Sequence, residues 1–515
     1  MRKRILTTTN HRAITKSSIV SIEHLSKGSG QVKFTSRLLA MIFTLLLLVQ
    51  GCAVGPNYVR PKVNVPTEYH GAEASAQQAS FADLPWWEIF KDERLKELIQ
   101  TALANNYDLR VAITRIEQSR QIAAQARAQY FPFINYSVSS SDGRNEFVGT
   151  IAPNGGQTKG AFVAAASAAW EADVWGRLRR LNESARAQYL SSEEARRAVM
   201  LSLVSDVAQA YLQLLALDLQ LDIAKQTTAS FTETLKLFTD RLEGGIASKL
   251  DTSRAAAALG TAAASIPELE REIALTENQI SVLLGNNPDE IQHTAKLLDE
   301  IIPPDVPAGL PSALLERRPD VREAEEQLRS ANAQVGVATA NFFPQIGLTA
   351  LLGRASTPLS ALSSGQANVW SVSGNLAGPI FQGGALQAQK RQAVAFWEQT
   401  KLQYEQTALN AFLDVSNALI SRQKYEGIQK EQAYAVQAYQ ESVKIALQRY
   451  LAGKASYYEV LEAQQQLFPA EISLAVTELN RRVVIVQLYK ALGGGWNLKD
   501  PDWIGPKSQA SSGTP

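Results

Sequence analysis

The chain has little of the chemistry from which catalytic or metal sites are built. Across 515 residues it holds one cysteine and four histidines, which excludes a disulfide framework and leaves little room for a metal cluster. Its formal net charge is +1, with no basic stripe interleaved with aromatics, so nucleic acid is not an expected partner. There is no nucleophile motif and no phosphate-binding loop. His70 and His293 lie in loop-like segments without ligand-spaced partners, and the carboxylates are spread along helix faces as solvated charge. Neither an enzyme nor a cofactor is expected. A long hydrophobic run is also missing. The uncharged stretch Leu38–Val49 is about a dozen residues, too short to cross a bilayer as a helix and right for a signal-peptide core.

Directly behind that run stand Gln50, Gly51 and Cys52, the only cysteine. A small residue followed by cysteine resembles a bacterial lipobox, in which the cysteine is acylated and becomes the mature N-terminus. Residues 1–51 then read as a signal peptide and 52–97 as a lipidated lead-in and equatorial segment. An ordinary buried thiol is the other reading of Cys52. Ala53, rather than Asp, after the cysteine fits sorting to the outer membrane.

What the chain does have is repetition. Asp108–Pro132 lies without a gap on Asp320–Pro344, 212 positions further on, matching Arg110 with Arg322, Ala112 with Ala324 and Phe131–Pro132 with Phe343–Pro344. Arg241–Gly285 lies on Arg449–Gly493 at a shift of 208, matching Gly245 with Gly453, Ala247–Ser248 with Ala455–Ser456 and Glu270 with Glu478. Two similar shifts this far apart in the chain indicate one unit used twice. The expected organisation is a first repeat at 98–296, a proline-rich connector at 297–316, a second repeat at 317–495 and a tail at 496–515.

Each repeat has the same internal order. From about Asp92 apolar residues recur at three- and four-residue steps, through Leu95, Leu98, Ile99 and Ala102 and on through Leu109, Ile113 and Ile116. This predicts a helix that Phe131–Pro132 stops. Alternation then takes over, with Ile134, Tyr136 and Val138 set against Asn135, Ser137 and Ser139. A turn-rich stretch, Ser141–Gly160, leads to a second β-like run from Phe162 to Trp170. Ile346, Leu348, Ala350 and Leu352 repeat the pattern on the same face, so hairpins are expected at 131–172 and 343–380. After each hairpin comes a stretch almost free of breakers, about Arg177–Glu243 and about Ala385–Ala452, long enough for a helix of about 100 Å. Such helices need coiled-coil-like neighbours along their whole course. Each ends at a glycine turn and returns as a shorter helix, Ser248–Leu284 or Ser456–Leu492.

Four strands in a bilayer would leave two unpaired edges in hydrocarbon, where nothing satisfies them. The smallest membrane barrels have roughly eight strands, so copies of the chain would have to pool theirs: two chains give eight and three give twelve. A soluble periplasmic coiled-coil protein with exposed hairpins is the competing reading, and composition leaves both open. Specific strings carry a resemblance. CAVGPNY at Cys52–Tyr58, LPSALLERRPDVREAE at Leu310–Glu325, NFFPQIGL at Asn341–Leu348, GPIFQGG at Gly378–Gly384, RLEGGIAS at Arg241–Ser248 and RYLAGKASYYEVLEAQ at Arg449–Gln464 resemble signatures of the outer-membrane factor family. These are the TolC-like channels of tripartite exporters, here in their lipoprotein, NodT-type branch.

The resemblance implies a fold that is mainly α with a β-barrel. Four transmembrane strands per chain complete a twelve-stranded barrel in a homotrimer, and long coiled-coil helices form a tunnel into the periplasm. It implies a lipid-anchored, passive exit duct in the outer membrane for drugs or other small solutes. An inner-membrane pump of the RND type would drive it through a periplasmic adaptor. The alternative is that the chain is itself a periplasmic adaptor or a structural lipoprotein. An adaptor would carry one helical hairpin between β-rich lipoyl-like halves and no tandem duplication.

At the far ends of the longest helices, three-fold symmetry would turn any inward side chain into a ring. Carboxylate rings suit a constriction that opens and closes. Asp251 and Glu459, each six residues past its glycine, and Glu462 are the candidates for such a periplasmic gate, and the resemblance makes the paired positions acidic gate residues. The helix macrodipole favours a merely solvated carboxylate at the same places. Arg241, Arg449 and Tyr450 resemble the family's tip residues, which tether neighbouring helix pairs. The turns with Gly245, Ala247, Ser248, Gly453, Ala455 and Ser456 would form the adaptor-docking rim. Trp170, Trp175 and Trp370 stand near strand ends, where an interfacial girdle or ordinary packing would use them.

Overall fold

The computed structural model describes residues 53–72, 80–89, 91–144, 158–299, 302 and 307–494. Met1–Ala53 form a separate unit, of which only Ala53 is described, and the rest belongs to a second unit beginning at Val54. The expected signal peptide, Cys52 and the C-terminal tail lie outside the described residues.

The duplication reappears in the element bounds. The first repeat contributes α1 (Glu93–Asn105), α2 (Tyr107–Ala128), β1 (Phe133–Arg144), β2 (Thr158–Ala172), α3 (Arg177–Glu243) and α4 (Lys249–Leu283). The second contributes α5 (Pro311–Arg317), α6 (Pro319–Ala340), β3 (Gln345–Ser356), β4 (Asn368–Ala377), α7 (Ala385–Leu451) and α8 (Tyr457–Ala491). Helices α3 and α7 are both 67 residues long, and α4 and α8 are both 35.

The apolar run from Asp92 to Phe131 is two helices rather than one. Asn106 breaks it in an extended conformation; its Oδ1 accepts from the Leu109 N–H at 3.0 Å and its Nδ2 donates to the Leu283 carbonyl at 3.0 Å. One buried side chain thus starts α2 and satisfies the end of α4. Beyond it the stripe fades, since Ile113 is exposed while Ala112 and Ala126 are buried. The second repeat breaks at the equivalent Arg318, where Pro319 holds the preceding residue extended.

All four strands join one antiparallel sheet in the order β1-β2-β3-β4, with Phe133 opposite Ala169, Phe162 opposite Ser356 and Gln345 opposite Ala377. The central pair β2–β3 comes from different repeats, so the hairpins fuse and leave β1 and β4 at the edges. The helices pack into a separate apolar core around Tyr211, Leu214, Leu328, Tyr404 and Tyr489, all fully buried. The Tyr211 hydroxyl donates to Asp92 at 2.8 Å and that of Tyr489 to the Leu84 carbonyl at 2.9 Å, which satisfies their polar ends. The hairpins α3–α4 and α7–α8 meet along α3 and α8, where Gln464 donates to Ser230 and Thr234, both at 3.4 Å.

A strap formed by Val54–Arg60 crosses α3 and α6. Val54 N–H donates to the Trp175 carbonyl at 3.0 Å, Arg180 donates to Asn57 at 2.7 Å, and Asn332 donates to the Pro56 carbonyl at 3.0 Å. Further along, Tyr58 donates to Glu325 at 3.1 Å, and Arg60 pairs with Glu325 at 2.6 Å and with Glu316.

Candidate functional site

Directly paired residues of an antiparallel sheet lie on the same face, so the register sorts its side chains. One face carries Ile134, Tyr136, Ala166, Ala168, Leu348, Leu352, Trp370, Val372 and Leu376. The other carries Asn135, Ser137, Ser167, Thr349, Ser371, Ser373 and Asn375, with Thr349 and Ser373 hydrogen-bonded at 2.7 Å. The apolar row is not packed against the chain's own core: Tyr136 is 88% exposed, Val372 76% and Leu376 70%. A bare apolar face of this size needs another solvent or a partner. The strands run 10 to 15 residues, against the roughly 9–11 a tilted membrane strand requires.

Where the sheet meets the helices, Trp175 stacks on Phe343 at 4.7 Å and donates to the Pro344 carbonyl at 2.7 Å, while Trp170 donates to the Tyr130 carbonyl at 2.8 Å. Both indoles therefore pack at the helix-proximal rim. Trp370 is exposed on the apolar face nearer the opposite rim.

The second candidate region is the far end of the long helices. Gly245 and Gly453 adopt φ of 73° and 69° in the two turns, a conformation side chains disfavour. Around them the docking-turn residues Ala247, Ser248, Ala455 and Ser456 are exposed or half-buried. Asp251 is drawn into a capping box, accepting from the Ser248 hydroxyl at 2.7 Å while its own N–H donates to that oxygen at 3.2 Å. Glu459 pairs with Arg449 at 3.1 Å inside its own hairpin. Glu462 is exposed, and no ion pair to it is found among the described residues. The three carboxylates are thus in different electrostatic situations.

Arg241 lies over the Tyr450 ring at 4.7 Å, joining the two repeats. Beneath it is a cluster that sequence reasoning missed. Phe238 is 1% exposed and packs against Tyr457 at 3.8 Å and Tyr450 at 5.2 Å, with Phe231, Val460 and Leu461 completing the cluster. Burial pushes the Tyr457 hydroxyl up to about 12 and raises that of Tyr450. The signal for this cluster was the contrast between copies, because Phe238 and Tyr457 fall on Ala446 and Lys249 under the 208 shift.

His293 also has a partner the sequence did not reveal. Its Nε2 meets Asp218 of α3 and its Nδ1 bonds the Ile291 carbonyl, with Glu270, Glu277 and Glu290 nearby. The Asp218 hydrogen bond raises the imidazole pKa, against burial that lowers it. A raised folded-state pKa gives stability that is full below the unfolded value of about 6.5 and lost as pH rises through the folded value. Thermal melting should therefore show His293→Ala destabilised below pH ~6.5, by about 1 kcal/mol or less at this half-open site, with the gap closing in mild alkali.

Comparisons with known proteins follow the same duplication. A family model described as outer membrane efflux protein matches residues 98–286 and again 310–494. The probable efflux pump outer membrane protein TtgC of Pseudomonas putida is 36% identical over 470 residues, covering 90% of this chain and 96% of that protein. The cation efflux system protein CusC of Escherichia coli is 34% identical over 460 residues, covering 88% and 98%. Among solved structures, the outer-membrane channel OprN superposes with a TM-score of 0.81 at 30% identity, covering 86% of this chain and all of that one (100%).

Proposed function

The chain belongs to the outer membrane efflux protein family, and from that premise we propose that three copies form the outer-membrane exit duct of a tripartite efflux system. The two-faced sheet is the observation that carries this reading. Its apolar face suits lipid, its polar face suits a water-filled lumen, and its free edges β1 and β4 require further strands. Three chains would supply twelve strands. Helices of about 100 Å cannot fit a hydrocarbon layer of about 30 Å, so they would project into the periplasm toward an adaptor and an inner-membrane pump of the RND type. The chain would be passive, conducting drugs or other small solutes that the pump selects. The relatives' names support this division: one is an efflux pump outer membrane protein and another a cation efflux system protein. A β-hairpin in each of two tandem repeats speaks against the adaptor reading.

The protein should be extracted from outer membranes only with detergent, as a trimer, and should conduct ions in planar bilayers. A soluble, non-conducting monomer would overturn the reading.

Cys52 is the proposed lipid anchor. Support comes from the strap: Val54, two residues on, bonds to Trp175 just beyond the end of β2, at the rim where strands give way to helices. Cys52→Ser should abolish incorporation of labelled palmitate; label that persists would remove the assignment.

At the tip, Asp251, Glu459 and Glu462 are the proposed gate, with Arg241, Arg449 and Tyr450 as tethers and the two glycine turns as the adaptor-docking rim. Replacing the three carboxylates together by alanine should raise single-channel conductance severalfold. Unchanged conductance would take them out of the gate.

A further inference from the structure

The internal duplication specifies a contact that a single chain cannot show. The seam between repeats within one chain is the β2–β3 pairing, in which partner residue numbers sum to 518, as for Phe162 with Ser356. Strand β4 is the copy of β2 at a shift of 208, and β3 is the copy of β1 at 212. Both offsets recur in the structure: β1–β2 partners sum to 302 and β3–β4 partners to 722, a difference that equals the two shifts combined. Moving β2 forward by 208 and β3 back by 212 lowers the constant by four, to 514. Resting on the trimer reading above, we propose that β4 of one copy pairs antiparallel with β1 of the next so that residue i meets residue 514 − i.

A second observation points the same way. Residues 170–172 of β2 extend past its pairing with β1 and are held by β3 alone, Trp170 opposite Leu348 and Ala172 opposite Ile346. Their copies in the second repeat are residues 378–380. There β4 stops at Ala377, and the chain beyond leaves Ile380 103% and Phe381 87% exposed. The equivalent segment at the end of β2, residues 171–175, is half-buried rather than bare, with Trp175 packed on Phe343 of the second repeat. Pro379 offers no ladder N–H, which ends regular pairing there, but the side chains of this segment also lack the neighbour that β3 provides for 170–172 of β2.

The proposed register supplies it. Ile380 falls opposite Ile134 and Phe381 opposite Phe133 of the neighbouring copy, and those two residues are themselves 75% and 55% exposed. Four exposed apolar side chains meet in two pairs. Parity also holds: Leu376 meets Val138 on the apolar face, and Ala377 meets Ser137 on the polar face, so both rows continue unbroken around the seam.

Directly opposed residues place their Cα atoms about 4.5–5.5 Å apart, within reach of a disulfide. A slip of two residues adds about 7 Å along the strand and takes them beyond it. In a Cys52→Ser background, the pair Ala377→Cys with Ser137→Cys should oxidise in outer membranes to a dimer and trimer ladder that collapses on reduction. Ala377→Cys with Asn135→Cys, or with Ser139→Cys, should remain monomeric on the denaturing gel. If either offset pair cross-links instead, the register is overturned while the trimer stands. If none cross-links although the parent migrates as a trimer in detergent, pairing of β4 with β1 is overturned. A parent that is monomeric in detergent overturns the trimer reading itself. Ile380→Cys with Ile134→Cys repeats the test at the rim, should the first pair fail to insert.

Discussion

Exchanging the packing of the two helical seams at the tip should move channel conductance in opposite directions. Within a chain, the seam between α3 and α8 is closed by Phe238 lodged between Tyr450 and Tyr457 and by Arg241 on the Tyr450 ring. In the proposed trimer, the repeat would place α7 against α4 of the next copy. Shifting by 208 converts Phe238 to Ala446, Tyr450 to Leu242 and Tyr457 to Lys249, while Arg241 becomes Arg449. The aromatic clamp therefore has no counterpart there, and the cation loses its ring. A buried Phe→Ala change costs about 3–5 kcal/mol of packing, and about 1.4 kcal/mol of difference between closed and open states shifts their ratio tenfold. Phe238→Ala should raise conductance in planar bilayers, and Ala446→Phe combined with Lys249→Tyr should lower it. Changes of the same sign in both variants, or none in either, would refute unequal seams.

The same contrast between copies explains what was legible beforehand. The long helices were readable because nothing interrupts them and glycines mark both turns, and the structure starts α3 at Arg177 and α7 at Ala385. The hairpins were readable because alternation keeps one face in both copies. The strands run further than the turn-rich loops suggested, since ladder bonds carry β1 to Arg144 and β3 to Ser356. Asn106 was missed because its role depends on a carbonyl 177 positions away, at Leu283. Type and spacing single out the tip carboxylates in the sequence. Their different partners, a serine for Asp251 and an arginine for Glu459, are set by turn geometry that spacing does not encode. His293 looked isolated for the same reason, since Asp218 reaches it across 75 positions.

The strap gives the other large effect, and it turns on two glycines touching. Gly55 sits at φ 94°, and a Cβ there would stand 2.5 Å from the Gly336 Cα. That neighbour is helical backbone about one turn from the end of α6 and cannot swing aside. On the far side, a Cβ on Gly336 would stand 2.7 Å from Cγ of Arg180, whose guanidinium donates to the Val54 and Gly55 carbonyls and to Asn57. Gly55→Ala therefore combines a strained backbone, about 1–3 kcal/mol, with overpacking of similar size, about 1–3 kcal/mol. The strap has a cheaper alternative, which is to leave the groove. Arg180 would then lose the carbonyls it satisfies, and Asn332 would lose Pro56. Gly55→Ala and Gly336→Val should both lower the melting temperature of the detergent-solubilised protein and expose the segment before Tyr58 to limited proteolysis. Gly365→Ala, at a glycine with nothing within 4 Å, should do neither. A wild-type melting temperature and cleavage pattern in Gly55→Ala would mean that the strap does not bear on the body of the chain, and that a tether at Cys52 ends in a loose leader rather than in the α3–α6 groove.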